Sequence, residues 1–210
     1  MSAILWVGSV CMVIALLVLV AWPVILTQRT AADRTQALGN LKSLYFALLD
    51  FDNDYGRFPD DSTIAEVKSA TSTTIPLGTT SSNDYFRQLI AAGNRSERIF
   101  FAKTAATPHK PDDNISGARA LEKGECSYAY VAGLSTNAPS GAPVMMAPMI
   151  SGTWSFDPKP YGKKAVTGRI DGSFRAETLR PTGEIIIRGM NLFDPRQPIW
   201  SGKPNLKWPE

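Results

Sequence analysis

The chain has 210 residues, with 22 Lys and Arg against 19 Asp and Glu, one His and two Cys. That length suits one domain, or one domain with an anchor. A net charge of +3 without a basic run excludes a nucleic-acid grip, and one His with two distant Cys cannot build a four-ligand zinc site or a disulfide framework.

The near-zero mean hydropathy is an average over two unlike parts. From Met1 to Gln28 there is no charged side chain, so every Lys, Arg, Asp and Glu falls in residues 29–210. Residues 3–26 form one apolar run, long enough for the roughly 20 residues that a spanning helix needs. A cleaved signal peptide would start basic, have a shorter apolar core and end in a small-residue cleavage site. A retained transmembrane helix over 1–28 is therefore expected. Trp6 and Trp22 sit towards its two ends, where indoles favour the membrane interface. Pro23 should kink it, because proline removes a backbone donor and clashes with the preceding turn. Cys11 reads as a small apolar residue within the run.

The helical pattern does not stop at the membrane. Over residues 29–56, Leu38, Leu41, Leu44, Tyr45, Leu48, Phe51 and Tyr55 recur at spacings of three and four, which places them on one face. Asp33, Arg34, Gln36 and Lys42 fall on the water side. The stretch from Asn53 to Gly56 ends the helix, and Pro59 prevents its continuation. Asp50, Asp52, Asp54 and Asp61 are the densest carboxylate group in the chain. A solvated helix end is the plain reading of them. The alternative is a bound calcium ion at Asp50 and Asp54, since acidic groups at a helix C-terminus are mildly unfavourable and oxygens suit that ion.

An apolar span with a proline near its end, an Ala/Arg/Gln-rich amphipathic stretch, and then Tyr55-Gly56-Arg57-Phe58-Pro59 resembles the type IV pilin and type II secretion pseudopilin family, the major pseudopilin type most of all. Matching residues include 19–23, 31–36, Asn40-Leu41 and Ala47-Leu48. The likeness covers about the first 60 residues. It continues loosely in order through 82–89 and 199–204. What the resemblance implies is a structural subunit of the inner membrane, single-pass, with a periplasmic head that associates with other pseudopilins or secretion components. Some members bind calcium through a late loop, whose ligands do not map onto residues of this chain.

Two departures from the family bear on assembly. Members carry a basic leader ending in Gly before a Phe-Thr-Leu-x-Glu start, and this motif does not occur here. Aligned on Pro23, the family's glutamate falls on Trp6, which cannot pair with a neighbour's amine as a carboxylate would. The readings left open are a leader upstream of Met1, or a pilin-shaped protein that no longer enters a fibre by that route. Arg29 and Arg34 after the span, with nothing basic before it, argue for a cytoplasmic head. The resemblance argues for a periplasmic one, and the periplasmic side is the expectation.

Residues 57–210 read as an α+β head. Thr63 to Glu66 fits a capping box that opens a helix through about 70, and 70–82 is loop. A second helix covers 83–92, with Gly93 closing it. Residues 104–117 form a surface loop that carries His109. Short strands are expected at 127–131, 144–150, 165–170, 173–179 and 184–187, with a hairpin at Asp171-Gly172. Helices first and an antiparallel meander after them give an α+β domain, with the long helix on the sheet and Leu41, Tyr45 and Leu48 docking it. The tail over 192–210 carries Pro195, Pro198, Pro204 and Pro209 with Trp200 and Trp208. It reads as a strap whose indoles fill the sheet surface, or as an exposed aromatic contact for a partner.

No nucleophile motif, phosphate loop or acid/base constellation accompanies these elements. The expected function is a membrane-anchored pseudopilin-type structural subunit that is not an enzyme, and Trp6 would mark reduced capacity to self-assemble. The alternative is a stand-alone periplasmic binding module on a pilin scaffold.

Overall fold

The computed structural model describes the backbone of residues 2–210, and the side chains of Trp6, Val7, Met12, Leu19, Trp22 and residues 24–210. Helix α1 runs from Ser2 to Tyr55. Among the described residues no helix is long and apolar enough to cross a membrane. Most of the side chains behind that expectation, Cys11 and Pro23 with its kink among them, lie outside the described residues. Trp6 is exposed.

The second part of α1 is built as its periodicity requires. Ala37, Leu41, Leu44, Tyr45, Leu48 and Phe51 are buried, and Lys42 and Phe46 face water. The helix ends where Gly56 donates its N–H to the Asp52 carbonyl at 2.7 Å. Arg34 departs from its expected place on the water side. It is half-buried and donates to the Tyr161 carbonyl at 3.3 Å.

Helices α2 (Ile64–Thr71) and α3 (Ser82–Ala91) follow. The sheet comprises β1 (Ala129–Ala132), β2 (Pro143–Ala147), β3 (Lys164–Arg169) and β4 (Phe174–Thr178), a meander of antiparallel neighbours. Strands β5 (Ile186–Ile187) and β6 (Met190–Asn191) form a separate ribbon. Strand β7 (Asn205–Lys207) pairs antiparallel with β1, so the order is β4-β3-β2-β1-β7. The fold is α+β, with one long N-terminal helix and a five-stranded antiparallel sheet. Asp171-Gly172 makes the hairpin between β3 and β4, where the Arg169 N–H donates to the Ser173 carbonyl at 3.0 Å.

Helix α1 crosses β2, β3 and β4. Three contacts fix its place. The Tyr45 ring meets Phe174 edge-on at 5.6 Å, and its hydroxyl donates to the Ile170 carbonyl. Tyr128 donates to the Ala37 carbonyl at 2.7 Å. Leu41 sits over Gly168, where a side chain would begin 3.2 Å from its Cδ2. A glycine in a strand marks just such a close approach. Gly168→Val is expected to cost about 1–3 kcal/mol through overpacking at that contact, read as a lower midpoint in urea. An unchanged midpoint would mean that the helix can shift to make room.

Helix α3 packs on β1 through aromatic pairs, Phe86 with Tyr130 at 5.2 Å and Tyr85 with Tyr130 at 5.7 Å. Its start corrects the sequence reading. The capping box expected at Thr63 does not form. Thr63 has helical backbone angles and its side chain caps nothing. Its hydroxyl instead lies 2.6 Å from Gln88 Oε1 and accepts from the Asp60 N–H at 3.0 Å. The box forms at α3, where Ser81 accepts from the Asp84 N–H and the Asp84 carboxylate accepts from the Ser81 N–H.

The tail is a strap, and it is also a strand. Trp200 is buried and donates to the Leu192 carbonyl at 2.8 Å. Trp208 donates to the Thr153 carbonyl at 2.9 Å and lies edge-on to Trp154. The main chain of 208–210 then clamps the start of α3. Ser82 N–H donates to the Trp208 carbonyl at 2.9 Å, Gly124 N–H to the Glu210 carbonyl at 2.7 Å, and Glu210 N–H to Asn83 Oδ1 at 3.3 Å.

Candidate functional site

The carboxylates at the end of α1 are arranged as helical spacing dictates. Asp50 and Asp54 are exposed and line one shallow groove with Phe46, Asn94 and Arg95. Asp52 turns elsewhere and accepts from the Thr136 hydroxyl at 2.6 Å. Asp61 accepts from the Tyr85 hydroxyl at 2.5 Å. The string that is dense in sequence is therefore dispersed in space, and Asp50 and Asp54 meet no third carboxylate among the described residues.

A different acidic group does gather. Glu97, Asp112 and Glu125 each bring one carboxylate oxygen within 4.8 Å of the others. They come from three separate segments. Glu97 opens a 3-10 turn, Glu97–Phe100, that follows α3 and whose preceding residue, Ser96, accepts from the Arg98 N–H at 3.3 Å. Asp112 stands in the 104–117 loop. Its Oδ1 accepts from the Asn114 N–H at 2.8 Å and its Oδ2 meets Arg119 at 3.1 Å. Glu125 lies just ahead of β1 and accepts from the Glu122 N–H at 2.7 Å.

Burial sets the electrostatics here. Glu97 is 0% exposed and Glu125 4%, while Asp112 is open to solvent. Glu97 Oε1 accepts from the Leu121 N–H at 2.5 Å, and Oε2 is buried without a partner among the described residues. Burial pushes the Glu97 carboxyl above the usual carboxylate range. The Leu121 N–H opposes that rise, and the charges of Glu125, Asp112 and Asp113 add to it. Burial raises Glu125 too, with Asp112 and Glu122 adding to it.

The packing residues are where their spacing put them. Leu41, Tyr45 and Leu48 all lie in the core between α1 and the sheet. Cys126 is buried, and desolvation pushes its thiol up to about 12, which keeps it protonated and unreactive at neutral pH. His109 is exposed on the 104–117 loop, with its N–H on the Gly124 carbonyl at 3.3 Å.

Sequence reasoning missed the Glu97 group, because its members are separated by 15 and 13 positions and carry no ligand spacing. The available signal was faint. Glu97 and Glu125 each stand beside apolar residues destined for the core, in Glu97-Arg98-Ile99-Phe100 and Glu125-Cys126. Compared with protein-family models, with characterised proteins and with solved structures, the chain matches none.

Proposed function

We propose that the chain is a membrane-anchored structural subunit of pseudopilin type, linked to type II secretion or a pilus-like assembly, whose work is packing and display and not catalysis. One observation carries the reading. A single helix, Ser2–Tyr55, begins in an uncharged apolar segment and ends as the central packing element of an α+β head. Such a helix couples whatever holds its first half to the position of the head, because a continuous backbone ladder transmits tilt and rotation. The order of the motif at the end of the helix, Tyr55-Gly56-Arg57-Phe58-Pro59, supports the same reading. In this reading residues 1–28 hold the protein in the inner membrane and could bundle with related helices, and the head lies in the periplasm.

The test replaces residues 1–28 with an unrelated single-span anchor. Both forms are co-expressed with type II secretion pseudopilins and crosslinked in cells. The native chain should appear in crosslinked species well above the level of the anchor-swapped form. Equal levels would defeat the assembly reading. A head that takes up a ligand as a monomer, with no lateral association, would favour the stand-alone binding module on the same scaffold.

A further inference from the structure

We propose that Glu97, Asp112 and Glu125 form a binding site for a hard divalent cation, with calcium the preferred ion. The inference stands on the geometry of the head and does not depend on the assembly reading.

The starting point is the Glu97 carboxylate. It is fully buried, yet only one of its two oxygens is satisfied, by the Leu121 N–H. Oε2 is buried and accepts nothing among the described residues. Leaving a buried polar group unmade is costly, and buried charges are as a rule paired or bound to metal. No salt bridge reaches Glu97 or Glu125 among the described residues. The arginines of this region are engaged at the rim instead, Arg119 on Asp112 and Arg98 on Asp113. Glu97 and Glu125 thus converge with no cation between them among the described residues, and the one carboxylate beside them that is paired, Asp112, holds Arg119 at the rim. A divalent ion would neutralise their repulsion and fill the open valence of Oε2.

The donor set selects the class of ion. The group contains only carboxylates, with no imidazole or thiolate, which favours a hard cation over zinc or copper. Oxygens within 4.8 Å of one another suit calcium, whose ligands stand about 2.3–2.6 Å away in flexible geometry. Magnesium demands tighter octahedral oxygens and gives up its water reluctantly. The exposed Asp112 leaves an entry path from solvent. A bound ion would tie the 3-10 turn after α3, the 104–117 loop and the segment entering β1 into one unit.

The experiment uses the purified full chain in detergent, stripped with EDTA and titrated calorimetrically with calcium chloride alone. One saturable site is expected, with a dissociation constant of about 10⁻⁵–10⁻³ M and a melting temperature that rises with free calcium. Asp112→Asn, at an exposed position, should fold normally and weaken binding at least about tenfold, and Glu97→Gln should abolish it. Circular dichroism verifies the fold of each variant. Asp50→Asn with Asp54→Asn should leave binding unchanged. The proposal is overturned if no saturable heat is seen up to about 10 mM, well beyond the weakest protein sites. It is equally overturned if Asp112→Asn binds as tightly as the native chain, or if the Asp50/Asp54 variant is the one that loses the ion.

Discussion

Leu41→Ala is expected to lower the unfolding free energy of the head by about 3–4 kcal/mol. Leu41 is 0% exposed and lies over Gly168, at the middle of the contact between α1 and the sheet. Removing it loses the transfer free energy of the deleted carbons and leaves a cavity, which together cost about 2.7–5 kcal/mol in a buried leucine. The site has little scope to collapse, because Tyr45 and Tyr128 pin the helix on either side through hydrogen bonds across the interface. Phe46→Ala provides the contrast. That ring is 53% exposed on the opposite face, and its loss should change stability by no more than about 0.5 kcal/mol. Urea unfolding of the full chain in a fixed detergent, followed by tryptophan fluorescence, separates the two. A loss below about 1 kcal/mol for Leu41→Ala would mean that α1 does not bear on the stability of the sheet.

Asp84→Ala should cost about 3 kcal/mol, through a different mechanism. The carboxylate accepts from the Thr80 N–H at 2.9 Å, the Thr80 hydroxyl at 2.7 Å and the Ser81 N–H at 3.2 Å, and it pairs with Arg87 at 2.8 Å. Gly78 leaves room for it, since any Cβ there would sit 2.7 Å from the carboxylate. The substitution leaves the Ser81 cap in place but removes the reciprocal half of the box, a charged acceptor whose hydrogen bonds are worth about 1.5–3 kcal/mol each. It also strips a nearly buried guanidinium of one partner, although Arg87 keeps the Ala120 and Leu121 carbonyls and Glu210. Burial by itself would raise the Asp84 carboxyl. The hydrogen bonds from Thr80 and Ser81 and the charge of Arg87 outweigh it and hold the group below the usual carboxylate range. A depressed native value makes the contribution fully present above the unfolded value, near pH 4, and lost as pH falls through the native value. The stability gap between the native chain and Asp84→Ala should therefore be constant near neutrality and shrink below about pH 4. A gap that stays constant down to pH 2 would show that the cap acts without its charge.

The parts of the fold that were legible in the sequence are those whose causes are local. The stripe from Leu41 to Phe51 declares a helix face, and Asp171-Gly172 declares a hairpin, because spacing and turn chemistry act within a few residues. The ends of α2 and α3 were likewise readable to within a residue. The site of the capping box was not. The box expected at Thr63-x-x-Glu66 does not form, and the Thr63 hydroxyl meets Gln88 across 25 positions instead, while the box at Ser81 and Asp84 was not read from the sequence. Strand β7 hid for a related reason. Pro204 and Pro209 argue against a strand unless it lies at a sheet edge, and edges are set by topology. The acidic site was the least legible. Asp50 and Asp54 stood out because they are close in sequence, whereas Glu97, Asp112 and Glu125 meet only after three loops have been placed.

The closing of β7 onto β1 gives the head an order of events in time. Tyr130 and Val131 are interior to the sheet only once Lys207 and Leu206 have arrived, and the start of α3 stays unclamped until the same moment. During synthesis, β1 waits for residues made some seventy-five positions later, with its edge open to any passing strand. Aggregation should compete with folding within that interval, because transiently open strand edges are prone to associate. Trimming 205–210 would hold the protein in that interval permanently.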